Sequence, residues 1–381
     1  MRKLMLVLHK YTGLSLGMVL GVIGISGSLL VFDHAIDEAL TPEIVTADNP
    51  TQRASLDEVL AAAKYAVDDS HRADRIYIAR QTGSPHVVRF RLPAGQPGPV
   101  EVSVAPATAE VLAVRTWGEY PASWLYNLHY TLLAGPNGKT TVGVLGIVLL
   151  FFCVSGVIIW WPQQRRWRRA LTVRWNRGAY LLNLDLHKTT GIYLLPILAV
   201  VSFSGVAIVF PSAIETMVSS AMPMDEYPNP RSTIGDAMVP VSEAAATAAT
   251  AFPNAELKRV QLPRSDDGPY LFYFNTTAEP WSNLGGSAVW VDAYSNHILD
   301  TWNVTEVAAG SQFMRWQFPL HNGDALGLIG RWLVFFVGFL PALLFSTGVY
   351  MWWRKRRNRT IRLKNDTSVI ERRPQKAPPA Y

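Results

Sequence analysis

Charge is scarce in this chain, and scarcest in blocks. Asp, Glu, Lys and Arg make up 17% of its 381 residues, against roughly 25% in a soluble domain. Residues 11–32, 140–161, 189–214 and 332–353 contain none of the four. Each block reaches the roughly 20 residues that cross a hydrocarbon core of about 30 Å. The sequence therefore predicts an α-helical integral membrane protein with four transmembrane helices. Cysteine is nearly absent as well. The single Cys153 excludes a disulfide framework and a Cys-ligated iron–sulfur or zinc site. No CxxCH, GxSxG or HExxH is present, nor a GxGxxG at a strand–helix junction, so covalent haem and the common hydrolase motifs are excluded.

What charge there is has a pattern. Residues 1–10 carry three Lys/Arg and no acid; residues 162–188 carry seven against one Asp; residues 354–381 carry ten against two acids. The long segments 35–128 and 212–328 hold eight basic against twelve acidic, and five against thirteen. The net charge of +6 thus flanks the membrane and does not form a nucleic-acid surface. The positive-inside rule puts both termini and the middle loop in the cytoplasm. The organisation expected is a cytoplasmic segment 1–10 and spans at 11–34, 139–161, 189–211 and 329–353. Outer segments 35–138 and 212–328, a basic loop 162–188 and a basic tail 354–381 complete it. The first apolar run exceeds a 7–15-residue signal-peptide core and is expected to be retained. The polar end, 365–381, is expected to be disordered.

The chain repeats itself. Leu8-His9-Lys10-Tyr11-Thr12-Gly13 returns as Leu186-His187-Lys188-Thr189-Thr190-Gly191, and Ser26-Gly27 returns at the same offset as Ser204-Gly205. Trp124 and Leu128-His129 return as Trp316 and Leu320-His321, and Gly156-Val157 and Trp160-Trp161 as Gly348-Val349 and Trp352-Trp353. One insertion in the second outer segment, placed in Met217–Pro230, reconciles the two offsets. Two tandem repeats follow, each with one small α+β unit. The first has an amphipathic helix over 55–68 and strands near 75–80, 86–92, 99–104 and 110–116; the second has a helix near 241–252 and strands near 256–262, 269–275, 287–293 and 296–302.

Eight histidines are present. His71, His86 and His297 are expected at the surface of the α+β units. His9, His187, His129 and His321 form the duplicated set, each beside a span. Duplication predicts that His9 faces His187 on the cytoplasmic side and His129 faces His321 on the outer side. Two facing imidazoles suit the axial positions of a haem iron, and Ser26-Gly27, Ser155-Gly156, Ser204-Gly205 and Thr347-Gly348 let a flat group approach. Two non-covalent b-type haems are the expected cofactors, with a His-based copper or zinc site the weaker rival. His34 has no twin, Ser212 occupying its counterpart position. It is a polar interfacial group or a second-choice outer ligand, with Asp33 beside it. Trp117, Tyr120, Trp124, Tyr126, Tyr130, Trp316 and Phe318 are either an interfacial belt or a docking surface. The cytoplasmic segments are too short for a βαβ unit, so electrons must come from a separate reductase or a membrane quinol. Arg165–Arg169 either docks an acidic donor or serves topology and anionic lipid.

The two LHKxTG-type elements, the spans with Ser-Gly, the second LH and the closing Gly-Val-x-x-Trp-Trp together resemble the PepSY-associated transmembrane family. The resemblance covers about residues 1–360. It implies two PepSY-like periplasmic domains and a di-haem protein of the bacterial inner membrane. It also implies that electrons pass outward to reduce ferric siderophore of the hydroxamate (ferrioxamine) type, releasing ferrous iron. The alternatives are a non-catalytic PepSY-type regulator and a quinone-linked b-type cytochrome. A transporter is disfavoured, because the uncharged runs offer no midplane ionisable residue.

Overall fold

The computed structural model describes residues 1–46, 53–91, 98–162, 167–277, 279 and 284–371. In chain order the helices are α1 (Arg2–Leu30), α2 (Asp33–Leu40) and α3 (Leu56–Tyr65), followed by strands β1 (Arg72–Tyr77), β2 (His86–Arg91), β3 (Val100–Val104) and β4 (Val111–Thr116). Then come α4 (Pro121–Thr131), α5 (Gly135–Trp160), α6 (Trp167–Ala170), α7 (Ala179–Val209), α8 (Pro211–Ser219) and α9 (Val241–Ala249). The second set of strands is β5 (Glu256–Gln261), β6 (Tyr270–Asn275), β7 (Ser287–Val291) and β8 (Ile298–Trp302), and α10 (Ala309–Asn322), α11 (Gly327–Gly338) and α12 (Leu340–Glu371) close the chain.

Four helical stretches are long and apolar enough to cross a bilayer: Arg2–Leu30, Gly135–Trp160, Ala179–Val209 and Asp324–Thr360. The chain is a multi-pass membrane protein. Helix α1 begins at Arg2, well before the first uncharged residue of the apolar block, because backbone hydrogen bonding continues past the point where charge begins. The fourth stretch is interrupted between α11 and α12. Residues 365–371, expected to be disordered, continue α12 to Glu371; residues 372–381 lie outside the described residues, as do Arg165 and Arg166 of the basic patch.

The chain packs as two units. One comprises residues 1–25, 148–199 and 337–381. Its core joins Cys153, Leu198, Val337 and Leu340. Helix α1 lies close to α12 in this unit, where a Cβ on Gly21 would stand 3.2 Å from the Ala342 backbone. Close approach of backbones at small residues is the usual way helices associate without a hydrophobic drive.

The other unit comprises residues 26–147 and 200–336. It contains one eight-stranded antiparallel sheet in the order β4-β3-β2-β1-β5-β6-β7-β8. Each loop segment supplies a four-stranded meander, and β1 joins β5 at the centre. Alternating residues build the core: Ile76, Val88, Phe90 and Val102 from the first segment and Val260, Phe272 and Val289 from the second, all fully buried. Helices α3 and α9 pack into the same core through Val59, Ala63, Ala244 and Ala248. The Ser55–Glu58 capping box starts α3, as the S-x-x-E pattern requires. Pro240 cannot cap α9 with its side chain. Asp57 of α3 does so instead, accepting from the amides of Val241 (2.8 Å) and Ser242 (3.0 Å).

Strand positions follow the sequence expectation closely, apart from β1, which starts three residues early at Arg72. His86 is a correction. It points into the core with Val88 and Phe90 and is 9% exposed, and its Nδ1 accepts the Ala79 amide at 2.9 Å.

Candidate functional site

His9 lies in the third turn of α1 and His187 in the third turn of α7. Their ring centroids are 6.3 Å apart, with the ring planes 72° from parallel. His9 Nδ1 meets Ser155 Oγ of α5 at 2.8 Å, and His187 Nδ1 meets Thr347 Oγ1 of α12 at 2.9 Å. Thr347 donates its hydroxyl proton to the carbonyls of Leu343 (2.8 Å) and Leu344 (3.1 Å). Its oxygen is therefore the acceptor toward His187, which carries its proton on Nδ1 and its lone pair on Nε2.

His129 and His321 sit near the C-terminal ends of the short helices α4 and α10, not on the spans themselves. Their ring centroids are 6.1 Å apart, at 46°. His321 Nδ1 lies 2.9 Å from the Val201 carbonyl, an acceptor only, so this ring too carries its proton on Nδ1. Ser204 Oγ is 3.3 Å from His321 Nδ1, and Ser26 Oγ is 3.4 Å from His129 Nδ1. The glycine after each serine lies against the same ring. A Cβ on Gly27 would fall 2.6 Å from His129 Cε1, and one on Gly205 would fall 3.0 Å from His321 Cε1. The Ser-Gly pairs thus make room for imidazoles, where the sequence suggested room for a flat cofactor.

Packing of α4 and α10 places these two rings. Pro121 opens α4, and Tyr120 just before it donates its hydroxyl to Glu101 at 2.7 Å. Burial pushes both the Tyr120 phenol and the Glu101 carboxyl above their ordinary values. Arg115 lies over the Tyr120 ring at 4.1 Å and binds Asp37 of α2 through two bonds of 2.9 and 3.0 Å. Leu132 and Leu133 then take left-handed backbone angles, with φ of 49° and 60°, and turn the chain into α5; such angles are costly for a leucine and mark a tightly determined bend. On α10 the N-terminus is held by segment 217–230, where the sequence placed an insertion. Asp225 accepts the Ala308 amide at 2.5 Å, Pro223 accepts the Gly310 amide at 2.9 Å, and Ser311 Oγ accepts the Asp225 amide at 2.9 Å.

The donor set favours a particular kind of centre. Two imidazole nitrogens each about 2 Å from one metal, with each ring centre about 1.1 Å further out, put the centroids about 6.2 Å apart. The observed centroid separations of 6.3 and 6.1 Å would accommodate such a centre. Among the described residues no group of three or more His, Cys, Asp or Glu converges. A pair of imidazoles can hold a metal whose remaining ligands come with it, as in haem. The Nδ1 contacts to hydroxyl and carbonyl are the arrangement that holds a ligating histidine.

His34 is on α2, with a side chain 48% exposed and its Nε2 3.9 Å from the Asp33 carboxylate. Of the aromatic residues, Trp117 packs on Tyr120 (6.1 Å) and Tyr126 (5.4 Å), and Tyr126 on Tyr130 (5.7 Å). Trp124 instead lines an open cavity of about 410 Å³ with Leu29, Asp33, Glu119 and Leu125. Leu125 precedes His129 by one turn of α4, so the cavity adjoins that ring's helix face. Glu119, which shares the cavity with Asp33, is a feature that the sequence did not single out, since the two lie far apart in the chain.

A relative with a curated record, the uncharacterized protein PA4219 of Pseudomonas aeruginosa, is 35% identical over 108 residues. The match covers 28% of this chain and 26% of that protein, so the chain spans about a quarter of the length of the curated relative it matches. The family described as PepSY-associated TM region matches residues 6–355, which include both His pairs, the sheet and most of each of the four spans. With nearly its whole length matched, the chain belongs to the PepSY-associated TM region family.

Proposed function

We propose that this protein is a di-haem electron carrier of the bacterial inner membrane that reduces ferric siderophore of the hydroxamate (ferrioxamine) type in the periplasm. The observation that carries this reading is the spacing of the two His pairs, 6.3 and 6.1 Å between ring centroids. Bound haem would supply a one-electron centre at each pair. His9 with His187, and His129 with His321, would hold the iron at the two sites. The chain's own work is to hold each Nδ1 on a hydroxyl or carbonyl so that Nε2 is presented, and to leave space for the rings at Gly27 and Gly205.

The two halves are read as a tandem duplication with both termini cytoplasmic, because Lys and Arg concentrate at 1–10, 162–188 and 354–381. Segments 35–138 and 212–328 are then the periplasmic, PepSY-like domains. Electrons enter from a cytoplasmic reductase or a membrane quinol, since the chain has no nucleotide- or flavin-binding motif. One electron converts the ferric complex to a ferrous one. Hydroxamate oxygens are hard donors that hold ferrous iron far less well, so the metal is released. Asp33, Glu119 and Trp124 around the cavity favour a neutral or cationic complex.

The test uses purified protein in liposomes, reduced with dithionite and freed of excess reductant. A ferric hydroxamate complex is expected to reoxidise it, with ferrous iron trapped by a chelator, while the gallium complex of the same siderophore does not. Fast reoxidation by a quinone with none by the ferric complex would make the protein a quinone-linked cytochrome. A purified protein without haem bands would leave the non-catalytic, regulatory reading.

A further inference from the structure

The four histidines are not held alike. At the His9–His187 pair both Nδ1 atoms meet side-chain hydroxyls at short range, Ser155 at 2.8 Å and Thr347 at 2.9 Å. At the His129–His321 pair the hydroxyl distances lengthen to 3.4 and 3.3 Å, beyond the ordinary 2.7–3.2 Å for such a bond. The short contact there is to backbone, from His321 Nδ1 to the Val201 carbonyl. Space around the rings divides the same way. A Cβ on Gly156 or Gly348 would sit 4.0 or 3.8 Å from His9 or His187 Cε1, ordinary contact, whereas Gly27 and Gly205 are pressed against their rings. The His9–His187 pair has short hydroxyl contacts with room to spare, and the His129–His321 pair has longer hydroxyl contacts, tighter packing and a short main-chain bond at His321.

Thr347 shows which way the hydrogen bond runs. A hydroxyl has one proton, and this one goes to the carbonyls of Leu343 and Leu344 one turn back. Thr347 Oγ1 can then only accept from His187. Ser155 Oγ stands 2.8 Å from His9 Nδ1 and 3.4 Å from the Phe152 carbonyl. Ser155 and Thr347 are both buried, at 0% and 4% exposed, so water does not compete for these bonds.

Resting on the reading that the His pairs ligate haem, we infer that Ser155 and Thr347 are positioning residues that set the redox potential of the His9–His187 site. By accepting the Nδ1 proton they fix the tautomer and ring rotation and make Nε2 more basic. A more basic axial ligand stabilises the ferric state, so the potential falls. Deleting an acceptor raises it.

The experiment is a spectroelectrochemical titration of the full chain, with low-spin electron paramagnetic resonance on the same samples. The component lost in His9→Ala identifies the His9–His187 site. Thr347→Val keeps the shape and removes the acceptor; Thr347→Ser keeps the acceptor; Ser155→Ala removes the other. Thr347→Val and Ser155→Ala are expected to shift that component to a more positive potential and alter its g-values, leaving the other component in place. Thr347→Ser is expected to restore wild-type behaviour. Loss of the haem in Thr347→Val with retention in Thr347→Ser also supports the hydroxyl's role. Full haem with an unmoved potential in both Thr347→Val and Ser155→Ala overturns the inference. So does loss in Thr347→Val and Thr347→Ser alike, which would show that only the shape of the side chain matters. Wild-type protein without haem is a separate outcome and sinks the underlying reading instead.

Discussion

Gly27 of α1 lies so close to His129 of α4 that a Cβ placed on it would come within 2.6 Å of the ring's Cε1 atom. No real side-chain carbon tolerates that distance, so either the imidazole or the helix must move. Gly156 has the same sequence context, following a serine, yet a Cβ there would be 4.0 Å from His9 Cε1.

The two glycines therefore predict opposite results. Gly27→Ala should displace His129 and reduce haem content from about two per chain toward one, while Gly156→Ala retains both. Gly205→Ala, with a contact of 3.0 Å at His321, should fall between them. Haem-to-protein ratios of the purified variants check the order. Equal retention in Gly27→Ala and Gly156→Ala would show that the close approach has no role in ligation.

His34 and His129 separate the symmetric ligand set from the asymmetric one. His34 is half exposed and turned to Asp33, whereas His129 shares a site with His321. His34→Ala should keep both haems and the wild-type absorption spectrum. His129→Ala should lose one. The reverse pattern would make His34 the ligand and break the pairing.

His86 gives the sheet a dependence on pH. Burial, with a smaller contribution from Arg53, lowers its pKa from 6.5 to about 4, and in the fold its neutral Nδ1 accepts the Ala79 amide. The unfolded chain binds this proton more readily. Stability from His86 is thus complete above about pH 6.5 and is lost as pH falls toward 4, by up to about 3 kcal/mol. Urea denaturation at pH 7.5 and 5 should show a larger loss for the wild type than for His86→Gln, which can still accept the amide without titrating. An identical loss in both would remove His86 as the cause.

Some of this was legible in the sequence and some was not. The uncharged blocks located the spans, since a bilayer core admits few ionisable groups and the signal is local. Strands β2 to β8 were placed within about three residues because inward positions alternate, as at Val88, Phe90 and Val102. That same alternation holds the clue that His86 is internal, two residues before Val88, although histidine's polarity argued for the surface. The repeat predicted which histidines stand together. It could not predict how each is held, because the partners come from distant helices: Ser155 is 146 residues from His9, and Thr347 is 160 from His187. The grip of residues 223–225 on α10 was equally hidden. Its bonds are to backbone amides, which leave no side-chain pattern to read.

A pyridine haemochrome assay on the purified wild-type chain asks whether each His pair holds one haem. About two non-covalent b-type haems per chain are expected, falling to about one in His9→Ala and in His129→Ala. A wild-type protein with no haem, or variants that keep the full complement, would contradict that expectation.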